Sequence, residues 1–266
     1  MWDCKIRLGN GRRVKKIKRT ILEYFEAIYN SDQPTSFKAI LSSITTQVSP
    51  DMNEELLADF KVEKVWYALK QMHPTKAPGL DGMSPIFFKH YWNIVRPEVV
   101  NFVLSSLNSG RMPCRLNETY ICLIPNVRPT QKITKFKLIS LCNVVYKLIS
   151  KILANRLKRV LATVIDESQS AFGPRRLITN NMLVAFETMH CIDQMKKRKE
   201  ALMAIKLDMS KAYNRVEWVY LEAMMRKMGF HERWIHLIMM CVTTVVMTQE
   251  KVLATSALYL KRTSHN

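Results

Sequence analysis

Asp208 is the residue best placed to do chemistry. It ends the run from Ala201, in which Leu202, Ala204 and Lys206 alternate with Met203, Ile205 and Leu207. That alternation predicts a β-strand. A carboxylate at a strand's C-terminal end can bind a metal ion or act catalytically. It can equally cap a following helix, and the pattern alone leaves both readings open. A second feature is Lys76-Ala77-Pro78-Gly79-Leu80-Asp81-Gly82, a basic loop dense in turn-forming residues.

The rest of the composition narrows the chemistry. The 266 residues carry 41 Lys and Arg against 22 Asp and Glu, a formal charge of +19. An excess of that size suits a polyanion, most often nucleic acid. Hydrophobic residues make up 48% and charged residues 24%, which excludes wholesale disorder. There are only 7 glycines and no G-x-G-x-x-G or P-loop pattern, so dinucleotide and Walker-type phosphate sites are unsupported. Six cysteines fall in no C-x-x-C spacing, which predicts buried free thiols rather than zinc or disulfides. His231 and His236 are five apart, the wrong spacing for one helix face. The most apolar stretch, Trp234 to Met247, is shorter than the roughly 20 residues a membrane span needs. No apolar signal core follows Met1. These features predict an intracellular protein that is not integral to a membrane.

Around Asp208 the pattern is mostly helical. Apolar residues recur at helical spacing from Ile17 to Tyr29, behind a strongly basic segment. Ser49-Pro50-Asp51 opens a short helix, and Val62 to Met72 forms another, stopped by His73-Pro74. Further helices are predicted over Pro85 to Trp92, Glu98 to Leu107, Asn143 to Ile165, Asn181 to Met195, 217–228 and 231–242. Tyr120 to Pro125 is strand-like, and residues 126–137 form a basic loop. Trp66, Trp92, Trp218 and Trp234 lie on apolar faces and are expected in the core. Lys147, Lys151, Arg156 and Lys158 either face a nucleic acid or form a solvated helix side. The expected class is α+β, helix-rich.

Several blocks, in order and spacing, resemble reverse transcriptases of plant LINE-type non-LTR retrotransposons. They are Lys76–Gly82, Phe136–Tyr146, Gln169–Asn181 and Leu207–Trp218. The closest runs are Met72-His73-Pro74-Thr75-Lys76-Ala77-Pro78-Gly79, Ile139-Ser140-Leu141-Cys142-Asn143 and Leu207-Asp208-Met209-Ser210-Lys211-Ala212-Tyr213. The similarity extends from about residue 17 to about residue 245. It implies a partial right-hand polymerase fold, fingers plus an incomplete palm. Residues 1–50 would be a basic segment and linker and 51–200 the fingers. Residues 201–245 would start the palm, and 246–266 would be an unmatched, disordered tail.

The resemblance also implies roles. Asp208 matches the first catalytic aspartate, a ligand of Mg²⁺. Tyr213 matches the aromatic residue beside the incoming sugar, and Lys137 matches an arginine on the triphosphate. Lys76, Gly79, Asp81 and Gly82 match a block along the template backbone, and Arg175 and Arg176 fall in a matching loop suited to nucleic acid. The implied partners are an RNA template, a DNA primer and a nucleoside triphosphate, in nucleus or cytoplasm. Phosphoryl transfer by two divalent ions needs several hard oxygen ligands. The family supplies two further adjacent aspartates, and no Asp-Asp dipeptide occurs in these 266 residues. Other departures are Lys137 for arginine, which loses a bidentate fork, Asn214 for aspartate, and Gly173-Pro174-Arg175-Arg176 for Val-Pro-Gly-Arg. The chain alone is therefore expected to be inactive as a polymerase. The competing readings are a non-catalytic nucleic-acid-binding fragment and a decayed reading frame. The strand bearing Asp208 is also expected to need neighbouring strands to cover it.

Overall fold

The computed structural model describes residues 19, 20, 23, 24, 27, 30, 31, 36–113, 115–125, 136–169, 177–195, 203–207, 212–247, 253 and 254. Helix α1 is Lys38–Ser42, and α2 is Pro50–Leu57. The start of α2 follows from its sequence. The Ser49 hydroxyl accepts a hydrogen bond from the Met52 amide at 3.2 Å, Pro50 takes the first turn, and Asp51 faces the helix's positive end. Helix α3 is Val62–Lys70 and buries Val65, Ala68 and Leu69, one face at i, i+3 and i+4. Helices α4, Pro85–His90, and α5, Trp92–Ser109, follow after the basic loop.

Two strands come next. β1 is Glu118–Pro125 and β2 is Phe136–Leu141, paired antiparallel in a register that runs from Tyr120 opposite Leu141 to Pro125 opposite Phe136. The β2 strand corrects the sequence reading, which assigned strands to Tyr120 to Pro125 and to Ala201 to Asp208 but none to Phe136–Leu141. Alternation is weak in Phe-Lys-Leu-Ile-Ser-Leu, and the pairing with β1 decides its state. Helix α6, Val144–Val164, is the longest, with Leu148, Ile149, Ile152 and Leu153 buried. Helix α7 is Ile178–Met195. A 3₁₀ turn, Ala212–Arg215, precedes α8, Trp218–Lys227, and α9, Glu232–Thr243. Two short strands, β3 Val246–Met247 and β4 Leu253–Ala254, pair parallel with β1. Residues in the expected tail thus join the sheet.

One core is built by α2, α3, α5, α6, α8 and α9, and includes Leu56, Leu69, Val103, Leu148, Ile149, Trp234 and Ile235. A smaller cluster under the sheet joins Ile121 and Leu123 to Tyr24, Phe136 and Leu138. Polar bonds tie sheet to helices. The Asn117 Nδ2 group donates to the Cys241 carbonyl at 3.1 Å and to Thr244 Oγ1 at 3.0 Å. The Tyr146 hydroxyl donates to the same carbonyl at 3.0 Å.

Three expectations are corrected. Residues 203–207 are irregular, and Met203, Ile205 and Leu207 are exposed. Alternation alone does not make a strand: its amides and carbonyls need a partner, and among the described residues 203–207 pair with none. Trp218 is 43% exposed rather than in the core, whereas Trp66 stacks on Trp92 at 4.9 Å and Trp234 is fully buried. Cys191 is exposed, while Cys122 and Cys241 are buried as expected; Cys4 and Cys114 lie outside the described residues.

Candidate nucleic-acid interface

The basic loop is docked on the start of α6. Gly79 is buried, and a side chain added there would lie 2.2 Å from Asn143 Oδ1, 2.4 Å from the Asn143 amide nitrogen and 2.6 Å from the Cys142 carbonyl carbon. Two of those three atoms are backbone, so only glycine allows this approach. Asn143 stands immediately before α6 and links three segments. Its Oδ1 accepts from the Asp81 amide at 3.3 Å, and its Nδ2 donates to the Leu116 carbonyl at 3.3 Å.

The turn itself closes locally. The Gly82 amide donates to the Gly79 carbonyl at 3.2 Å, and Gly82 has φ +69°, which favours glycine. Asp81 Oδ1 accepts from the Met83 amide at 3.0 Å. Two lysines hold the loop's flanks. Lys147 of α6 donates to the Ala77 carbonyl at 3.1 Å. Lys89 of α4 donates to the Lys70 and Met72 carbonyls at 3.1 and 2.6 Å, closing the end of α3. Burial holds the Lys147 ammonium below the usual lysine value; Cys142 and Asp81 oppose that shift, and Lys76 reinforces it.

Lys76, Asp81 and Gly82 are exposed on this docked loop, and Lys76 makes no side-chain hydrogen bond or ion pair among the described residues. Lys137 is exposed on β2, paired with Ile124. Four residues of extended chain, roughly 13 Å at 3.3 Å per residue, separate it from the end of β2, which leads directly to Cys142 and Asn143. The structure therefore connects Lys76, Gly79, Asp81, Gly82 and Lys137 through one junction. Asp208, Arg175 and Arg176 lie outside the described residues, as does the Tyr213 side chain; the Tyr213 backbone sits in the 3₁₀ turn.

No three His, Cys, Asp or Glu side chains converge on a metal-sized site among the described residues. The described residues thus do not fit a two-ion centre, and no reaction step is derived through one. What they can do is present exposed cations and a fixed backbone turn to phosphates. No helix among the described residues is long and apolar enough to cross a membrane.

The sequence reading missed Asn143 as the organiser of this junction. Its signal was an asparagine placed immediately before a long apolar-periodic segment. Arg156, which its sequence pattern leaves between a nucleic-acid face and a solvated one, has a different role. Its Nη1 donates to the Leu56 carbonyl at 2.9 Å and to the Ala58 carbonyl, and its Nη2 donates to the Asp59 carbonyl at 3.1 Å. Its guanidinium also stacks 3.7 Å from the Phe60 ring centre. It closes the C-terminal end of α2. Burial lowers its pKa to about 10, with Arg159 adding like-charge repulsion.

The described residues form a helix-rich domain with a small sheet and a basic loop docked on the start of α6. Residues 125–259, just over half of the chain, match the family described as reverse transcriptase (RNA-dependent DNA polymerase), and the chain belongs to that family. That match continues past residue 245, where the resemblance read from the sequence ended. The chain is also 28% identical over 188 residues, 71% of its length, to the transposon TX1 uncharacterized 149 kDa protein of Xenopus laevis. It spans 14% of that relative's length. The family generally uses divalent metal ions and binds RNA or DNA templates.

Proposed function

We propose that these 266 residues form the fingers and the beginning of the palm of a plant LINE-type reverse transcriptase with a right-hand polymerase fold, and that by themselves they bind nucleic acid without polymerising. The observation that carries the reading is the loop Lys76 to Gly82, pinned through Gly79 against Asn143 so that Lys76 and the turn backbone face outward. A loop fixed on both flanks can follow a template's phosphates without losing much entropy on binding. The formal charge of +19 supplies the long-range attraction.

In this reading residues 51–200 are the fingers and 201–245 begin the palm. Lys76, Gly79, Asp81 and Gly82 track the template backbone, with Arg175 and Arg176 beside it. Lys137 and Tyr213 serve the incoming nucleoside triphosphate. Asp208 is the one carboxylate of the Mg²⁺ set carried here, and one carboxylate does not hold two ions. The RNA template and DNA primer are the partners, in the nucleus or cytoplasm.

Binding of a labelled single-stranded RNA, titrated against salt, tests the proposal. Affinity should fall steeply with salt, and Lys76→Gln should reduce the log–log slope by about 0.7, the loss of one phosphate contact. Primer extension with Mg²⁺ and nucleoside triphosphates should give no product from these residues alone. Salt-independent binding, or extension, would refute the respective half of the proposal.

A further inference from the structure

A second basic feature lies away from the docked loop. Helices α3 and α6 enclose a cleft of about 590 Å³ beside the end of α2. That volume is within the roughly 300–1,000 Å³ of small-molecule sites. On the α3 side stand Lys61, Lys64 and Tyr67, and on the α6 side Lys158 and Arg159. Lys64, Tyr67 and Gln71 recur at i, i+3 and i+7, which puts them on one helix face. Gln71 and Asn155 join the two walls: Asn155 Nδ2 donates to Gln71 Oε1 at 2.9 Å.

Charges in the cleft are unequally committed. Arg159 pairs with Glu55 at 2.8 Å, and Arg156 is used by the carbonyls of Leu56, Ala58 and Asp59. Asp59 also lines the cleft and adds a carboxylate. Lys61, Lys64 and Lys158 form no ion pair among the described residues. Tyr67 is 56% exposed among them, an aromatic face with solvent on one side. Cations spaced around an exposed aromatic ring are the elements that bind single-stranded nucleic acid: lysines take phosphates and the ring takes a base. Lys147, which anchors the loop, and Lys158 are eleven residues apart on α6. That is roughly 16 Å at 1.5 Å per residue, so the cleft is a separate station along the same helix.

We propose that this cleft is a second contact for a single strand of nucleic acid, with a base stacked on Tyr67 and backbone phosphates between Lys61, Lys64 and Lys158. The inference rests on the nucleic-acid-binding reading above and extends it to a face that reading does not use. A strand is favoured over a free nucleotide because the uncommitted cations stand on both walls rather than around one phosphate.

The test measures anisotropy of a labelled 12-nucleotide RNA with the whole 266-residue chain. Tyr67→Ala should weaken binding about 5- to 140-fold, the range for one lost base stack, and Tyr67→Trp should retain it. Lys64→Gln with Lys158→Gln should lower the salt slope by about 1.4. Circular dichroism and the urea midpoint should stay at the parental values, because these side chains lie outside the core. If the parent chain binds RNA, Lys76→Gln weakens it and the cleft variants do not, the cleft proposal falls and the loop reading stands. If the parent chain does not bind RNA, both fall. Binding of adenosine monophosphate that depends on Tyr67, with RNA binding unchanged, would also overturn the strand assignment.

Discussion

Gly79→Ala puts the docking of the basic loop to a direct test. The new methyl group would sit 2.2–2.6 Å from Asn143 Oδ1, the Asn143 amide nitrogen and the Cys142 carbonyl carbon. Rotating the Asn143 side chain relieves only the first of these. The other two belong to backbone at the entry to α6, so the loop must lift. Overpacking of this kind costs about 1–3 kcal/mol. Lifting also loses the bond from the Asp81 amide to Asn143 and the bond from Lys147 to Ala77, each contributing about 0.5–1.5 kcal/mol. Part of the strain and part of the bonds are alternatives, since a loop that lifts relaxes. The expected total is therefore about 3 kcal/mol. Gly82→Ala is the matched control. It has φ +69° with nothing within 4 Å of the added carbon, so it pays only the left-handed backbone cost of about 1–2 kcal/mol. Urea unfolding followed by tryptophan fluorescence reads both, because Trp234 is buried and Trp66 stacks on Trp92. In thermal melts the two variants should differ by a few degrees, at roughly 2–4 °C per kcal/mol for a chain of this size. Gly79→Ala should also weaken RNA binding, since the turn is displaced. Equal stabilities for the two variants would mean that Gly79 is not packed on Asn143, and the interface built on that contact would be wrong.

Arg156→Ala should destabilise by about 2 kcal/mol, through the carbonyls it leaves at the end of α2 and the lost stack on Phe60; Arg156→Lys should recover only part, and a urea titration reads both. Tyr146→Phe removes one hydrogen bond to the Cys241 carbonyl and should cost about 1 kcal/mol by the same measurement. Burial pushes the Cys241 thiol up to about 11, so at pH 8 iodoacetamide should label Cys191 and spare Cys241 until the protein unfolds, as peptide mass mapping will show. The same shift has a defined sign. The unfolded thiol ionises near 9.0 and the folded one near 11, so its contribution is intact below pH 9 and is lost as pH rises toward 11; unfolding free energies across that window check it.

Most helices were legible because each carries its own signals. Ser49-Pro50-Asp51 starts α2, and the apolar face of α6 is periodic over most of its length. Strands carried less. β2 depends on β1 across a hairpin, and no local pattern in Phe136–Leu141 encodes that partner. Residues 203–207 show the converse, since they alternate in sequence yet pair with no strand among the described residues. Alternation specifies which face would be apolar, while hydrogen bonds to a neighbour decide whether a strand exists.

The basic residues of α6 divide in a way charge alone could not reveal. Lys147 and Arg156 both end on backbone carbonyls, of Ala77 and of Leu56, Ala58 and Asp59. Those carbonyls belong to segments distant in sequence, so nothing near either residue marked them as structural. Among the described residues Lys158 has no such acceptor, and it stands in the cleft opposite Lys64 and Tyr67. In the proposed reading, a single helix uses some cations to fix the chain and offers others to a ligand. The two sets should separate experimentally: neutralising Lys147 or Arg156 should lower stability at every salt concentration, because each donates to backbone carbonyls of a distant segment rather than to a screened opposite charge. Neutralising Lys158 should leave stability unchanged and alter only the salt dependence of RNA binding. A Lys158→Gln variant with lowered stability, or an Arg156→Ala variant that changes only the salt slope, would show that the division has been drawn in the wrong place.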